Sequence, residues 1–149
     1  MYSSDYVSFR TQSMSVKQLI DRIDYERIIF RDNVFRKYTN RDAPSCYSSF
    51  IESVMMDLPL LPLVFDGSHN PWYIMDGEKR LQAIWNFANN KFALKNIFYS
   101  RLPENVYFNE MSPFLKHHFL KSEVPCYIIN PGTPQDIIDD IQDRIHTIL

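Results

Sequence analysis

The chain has 149 residues, 45% of them hydrophobic and 23% charged, a composition that suits one globular domain with a core of its own. Sixteen Lys and Arg against 18 Asp and Glu leave a formal charge of −2, so no global basic field draws the chain onto nucleic acid, although a local basic patch stays open. No apolar run approaches the length of a membrane span, and the N-terminus has no signal-peptide pattern. Cys46 and Cys126 are too few and too far apart for a disulfide framework or a zinc site. Reduced thiols in a cytoplasmic protein are the expectation.

Residues 1–13 are polar with scattered aromatics and read as an N-terminal arm or a short strand. Ser15 followed by Gln18 is a capping-box pattern, and Val16, Leu19, Ile20 and Ile23 make the stripe of a short helix. Ile28, Ile29 and Phe30 suit a strand. Residues 31–41 are rich in Arg and Lys, which reads first as solvated surface. Asp42-Ala43-Pro44 predicts the start of a second helix, whose stripe is Tyr47, Phe50, Ile51, Val54, Met55 and Leu58 and whose end is Pro59. Glu52 falls on its other side and is expected at the surface. Leu60 to Phe65 reads as an extended segment feeding a strand, and Asp66-Gly67 begins a hairpin-like connection that ends at Asn70-Pro71.

Trp72 to Met75 is apolar and aromatic, as a buried strand should be. Asp76-Gly77 is a strong turn signal. From Glu78 the period changes to that of a helix, with Leu81, Ile84, Trp85 and Ala88 on one face. The opposite face, including Gln82 and Asn86, is expected to be wetter. After a stop near Asn89-Asn90 comes an irregular aromatic stretch with Leu94, Ile97, Phe98, Leu102 and Tyr107 as core contacts. Ser112-Pro113 is an N-cap and N1 pair for a helix carrying Phe114, Leu115, His118 and Phe119. His117 and His118 point about 100° apart on that helix, which argues against a shared metal. Val124 to Ile129 reads as a strand. Thr133-Pro134 opens a last helix with Ile137, Ile138, Ile141, Ile145 and Ile148 as its stripe.

The chemistry-bearing stretch is Asp76-Gly77-Glu78-Lys79-Arg80. Amides at a helix start favour an anion, and Arg80 in the first turn has the fork to clamp a phosphate or a carboxylate. The plain alternative is a tight turn with an exposed, charged first helical turn. There is no Walker A pattern, no His-Glu-x-x-His and no His-Asn-His nuclease pattern, so DNA cleavage by this chain alone is not expected.

Met75-Asp76-Gly77-Glu78-Lys79-Arg80-Leu81 resembles the Asp-Gly-Gln-Gln-Arg-Leu signature of the ParB-like domains that open GmrSD-type restriction enzymes, within the wider ParB/sulfiredoxin superfamily. Ser15 to Ile20 resembles that family's opening helix, and Phe50 to Pro62 resembles its "LIESILLGLPIPP" segment, so the likeness runs over about residues 13–100. Both Gln of the signature are changed, to Glu78 and Lys79, and the family's Phe-Gln-Arg box is met only by Phe35-Arg36-Lys37. The superfamily's sulfiredoxin chemistry needs a Cys inside the box, and none is there.

The resemblance implies an α+β fold, a small mixed sheet packed with helices, as a single domain over residues 1–149 without the family's C-terminal region. It implies a nucleotide-phosphate-binding module of a restriction or phage-defence system. Gly77, Glu78, Lys79, Arg80 and Arg36 would bind a nucleoside triphosphate, and Asp76 would hold Mg²⁺ through it. Asp76 and Glu78 are the candidate catalytic acids of a weak triphosphatase, and with both Gln changed the expectation favours binding over hydrolysis. Two alternatives stand beside it. One is a non-catalytic module contacting DNA or a partner nuclease subunit through Arg31, Arg36, Lys37 and Arg41. The other is a remnant of a larger nuclease.

Overall fold

A computed structural model describes residues 8–30, 37, 39–99 and 102–148. Arg31 and Arg36 lie outside them. Among the described residues the chain forms a five-stranded mixed sheet with five helices, an α+β fold. In chain order the elements are β1 (Phe9–Ser15), α1 (Val16–Asp24), β2 (Ile28–Ile29), α2 (Ser45–Met55), β3 (Leu63–Asp66), β4 (Trp72–Asp76), α3 (Glu78–Ala88), a 3-10 turn (Phe108–Glu110), α4 (Pro113–Lys121), β5 (Glu123–Ile129) and α5 (Gln135–Ile148).

The strand order is β1-β5-β3-β4-β2. β1 runs antiparallel to β5, β5 parallel to β3, β3 antiparallel to β4, and β4 parallel to β2. Alternation along the strands sorts the side chains between two layers. Leu63, Phe65, Ile74, Cys126 and Ile128 enter the larger core with residues of α1, α2, α3 and α4. Met75 and Ile129 face the other way, where Ile138, Ile141 and Ile145 of α5 cover them together with Val64 and Tyr73. The central strands are therefore apolar on both faces, while edge strand β1 buries only Met14 well.

Helix starts follow local chemistry. The Ser15 hydroxyl accepts from the Gln18 amide at 3.1 Å, and the Gln18 side chain accepts from the Ser15 amide at 2.8 Å, a complete capping box. Ser112 accepts from Leu115 N at 3.2 Å, with Pro113 in the first turn. α2 differs from expectation. Its N-cap position is Pro44, without a side-chain cap, because Asp42 is engaged by the Thr39 hydroxyl at 2.8 Å in the turn before it.

Three expectations about burial are overturned. Gln82 and Asn86 are 4% and 0% exposed, since α3 packs against both α1 and α2 and has no wet side there. Their polar groups are satisfied inside the protein: the Tyr47 hydroxyl donates to Gln82 Oε1 at 3.3 Å, and Asn86 Nδ2 donates to the Gln82 carbonyl at 2.7 Å. Glu52 is 5% exposed rather than at the surface, because the loop after α3 folds over it and Tyr99 N donates to its carboxylate. Phe98 is 84% exposed. The loop closes on itself through Leu94 and Asn105, which buries Leu94 and Leu102 and leaves Phe98 at the outer tip. Phe114 is likewise exposed, while Phe119 carries the burial of α4.

Candidate functional site

β4 ends at Asp76, α3 begins at Glu78, and Gly77 alone makes the corner. Its φ is +91°, the left-handed region that side-chain-bearing residues rarely adopt. A Cβ on Gly77 would also meet Leu63 Cδ2 at 2.4 Å, so the buried Leu63 side chain would have to shift as well. No side chain caps α3; its first hydrogen bond is Leu81 N to the Gly77 carbonyl at 3.0 Å. The helix therefore presents its positive end at the edge of the sheet. A depression of about 290 Å³ opens there, lined by Ile74 to Arg80.

Asp76, Glu78 and Arg80 are half-buried around this depression and Lys79 is exposed. Arg80 folds back over the turn. Its Nη1 donates to the Leu61 carbonyl, both terminal nitrogens approach the Pro62 carbonyl at 3.5 Å, and Nη2 lies 3.5 Å from Asp76 Oδ2. Burial lowers the Arg80 pKa and the Asp76 carboxylate acts against that shift; the guanidinium stays charged. Arg80 is thus already a clasp between α3 and the segment that leads into β3. A ligand at the turn meets a cation whose position is set by two backbone carbonyls.

No family model, curated protein or solved structure matches this chain.

The turn brings together Asp76, Gly77, Glu78, Lys79 and Arg80. Lys37 is elsewhere: its Nζ lies over the Trp85 ring, 5.3 Å from the centroid, toward the far end of α3. Among the described residues no group of three or more His, Cys, Asp and Glu is placed to hold a metal ion. Asp76 and Glu78 are two carboxylates, which suits Mg²⁺ that arrives on phosphates rather than an ion held by protein alone. His118 is tied to the end of α2, with Nε2 at 3.0 Å from the Met55 carbonyl and 3.3 Å from Asp57 Oδ2. The Cys126 thiol is buried and its pKa is pushed up to about 12 by desolvation, which makes it a poor nucleophile.

One further contributor to the turn comes from α5. Gln142 of α5 donates from Nε2 to the Met75 carbonyl at 3.0 Å and also meets His146 Nε2. It anchors the backbone just before Asp76. Gln142 falls four residues after Ile138 and three before Ile145, on the edge of the stripe that faces the sheet, and that spacing does not say which strand it reaches.

Proposed function

We propose that the chain is a nucleotide-phosphate-binding module of the ParB/sulfiredoxin type, serving a restriction or phage-defence system in the cytoplasm. The observation that carries this reading is the left-handed Gly77 leading into an uncapped helix start, with charged side chains of both signs around one depression. Helix-start amides donate to phosphate oxygens. Lys79 supplies a movable charge from the exposed rim, and Arg80 a fixed one. Asp76 and Glu78 repel a bare triphosphate, so Mg²⁺ carried on the nucleotide is part of the reading. Weak hydrolysis, with Asp76 or Glu78 orienting water, is its furthest extension.

A thermal-shift screen of nucleoside triphosphates with and without Mg²⁺ tests it. Binding that saturates the site a hundredfold over its Kd raises stability by about 2.7 kcal/mol, a plainly readable shift. The reading expects that shift only with the cation present. No shift with any triphosphate contradicts it.

A second reading has its own observation. Arg80 is bonded to the Leu61 and Pro62 carbonyls, as an arginine that only braces a turn would be. In that reading the module contacts DNA or a partner protein and the turn is structure. A salt-dependent response to DNA, with none to nucleotide, favours it.

A further inference from the structure

Beyond the turn, a separate group of cations gathers at the other end of β4. Trp72 opens that strand, about 13 Å from Asp76 at the usual rise per residue. Its ring is flanked on one side by Phe65, with centroids 5.5 Å apart. On it lies the guanidinium of Arg22, from the last turn of α1, with Cζ only 3.4 Å from the ring centroid. At that distance the two planes must be nearly parallel, because a perpendicular guanidinium would drive a nitrogen into the ring. Its N–H bonds then point sideways, away from the indole. Arg10 of edge strand β1 reaches the same ring, with Cζ at 5.7 Å. Arg27 is held beside them by its backbone: Trp72 N donates to the Arg27 carbonyl at 2.9 Å, and Arg27 N to the Arg22 carbonyl at 2.7 Å.

Among the described residues these three charges are not balanced by ion pairs with carboxylates. Arg10 is bonded to neutral amide oxygens of Gln12 and Asn130. Arg22 Nε is buried with no hydrogen-bond partner among the described residues. Desolvation, then the charges of Arg27 and Arg10, all depress the Arg22 pKa, which reports the same uncompensated repulsion. The C-terminus of α1 offers about half a negative charge, enough to favour one guanidinium and not three.

We propose that Arg10, Arg22 and Arg27 around Trp72 form a second anion site that takes a phosphate group. Stacking on Trp72 fixes the plane of Arg22, so that its terminal nitrogens, rather than the enclosed Nε, are the ones set to meet phosphate oxygens. Arg27 and Arg10 close on the remaining oxygens from exposed positions. The shared chemistry is a phosphate oxyanion, whether free, on a small ester, or in a nucleic-acid backbone.

The test uses inorganic phosphate against chloride at equal ionic strength, read by melting temperature and by the Arg22 Nε–Hε resonance in ¹⁵N NMR. Wild type should melt higher in phosphate and shift that resonance saturably. Arg27→Gln, whose side chain holds no hydrogen bond among the described residues, should bind phosphate about tenfold or more weakly. In chloride it should melt no lower than wild type, because a repulsion is removed. Arg22→Gln should lose the phosphate response as well. A single-stranded oligonucleotide then identifies the source: displacing phosphate points to a nucleic-acid backbone, and failing to displace bound phosphate points to a free or small phosphate, either of which upholds the site. The proposal is overturned if the Arg22 resonance ignores phosphate at tens of millimolar, or if Arg27→Gln binds it as well as wild type. Arg80→Ala should leave this response intact, so the fate of the turn and the fate of this site are read separately.

Discussion

At the scale of single residues, Arg80, Glu52 and Cys126 each tie a charge or a proton to the fold. Arg80 satisfies the carbonyls of Leu61 and Pro62 while facing Asp76. Removing it loses charge-assisted bonds to an exposed and a part-buried carbonyl, so Arg80→Ala should cost about 1–3 kcal/mol of stability, measured by urea unfolding. Arg80→Lys should recover only part, because a point charge cannot reach both carbonyls and the carboxylate as a fork does. Glu52→Ala leaves the Tyr99 amide without its acceptor and should cost on the order of 1–3 kcal/mol. An effect within the ±0.5 kcal/mol usual for surface changes would place Glu52 outside the fold's polar framework. Cys126 yields a pH prediction. Its folded pKa of about 12 stands above the 9.0 of the free thiol, so the unfolded chain loses the proton first. Its contribution is therefore whole below pH 9 and is lost as pH rises toward 12, by up to ~1.4 kcal/mol per pH unit. Wild type should lose stability more steeply than Cys126→Ala across that window; parallel slopes would show the thiol titrating freely.

At the scale of elements, the helix and strand starts were legible and the burial of polar positions was not. Asp76-Gly77 and Ser15 with Gln18 mark α3 and α1 because caps and positive-φ turns are local chemistry, written within four residues. Gln82, Asn86 and Glu52 were misplaced because a periodic stripe reports which face is apolar, not how many neighbours a helix has. α3 lies between α1 and α2, and a second contact face can be polar when its partners are hydrogen-bonded. Leu94 and Leu102 were read correctly as core and Phe98 was not, since in an irregular loop no period says which way a side chain turns. Val54 of α2 is 1% exposed in the main core, so Val54→Ala should cost on the order of 1–3 kcal/mol by thermal or urea unfolding. Gly77→Ala should be worse than a helix-start Gly→Ala normally is, because the new methyl meets Leu63 and the dihedral is strained.

For the whole molecule, topology places the turn where sequence alone could not. β4 lies between β3 and β2, and the charged corner emerges at its C-terminal end, braced from below by Leu63, from one side by Arg80 on the β3 lead-in, and from the other layer by Gln142 of α5. The residues that make the corner were visible as a motif. The brace from α5 was not, because it joins positions 67 residues apart and rests on a glutamine at the rim of an isoleucine stripe. The measurement that bears most directly on the nucleotide reading is calorimetric titration of ATP and GTP, with Mg²⁺ present, into wild type, Arg80→Lys and Arg80→Ala. The account predicts saturable binding by wild type, weakened by salt, and a loss of about one to two decades in affinity for Arg80→Ala with a partial recovery in Arg80→Lys. Wild type that binds neither nucleotide at millimolar concentration, or Arg80→Ala that folds and binds as tightly as wild type, would contradict it.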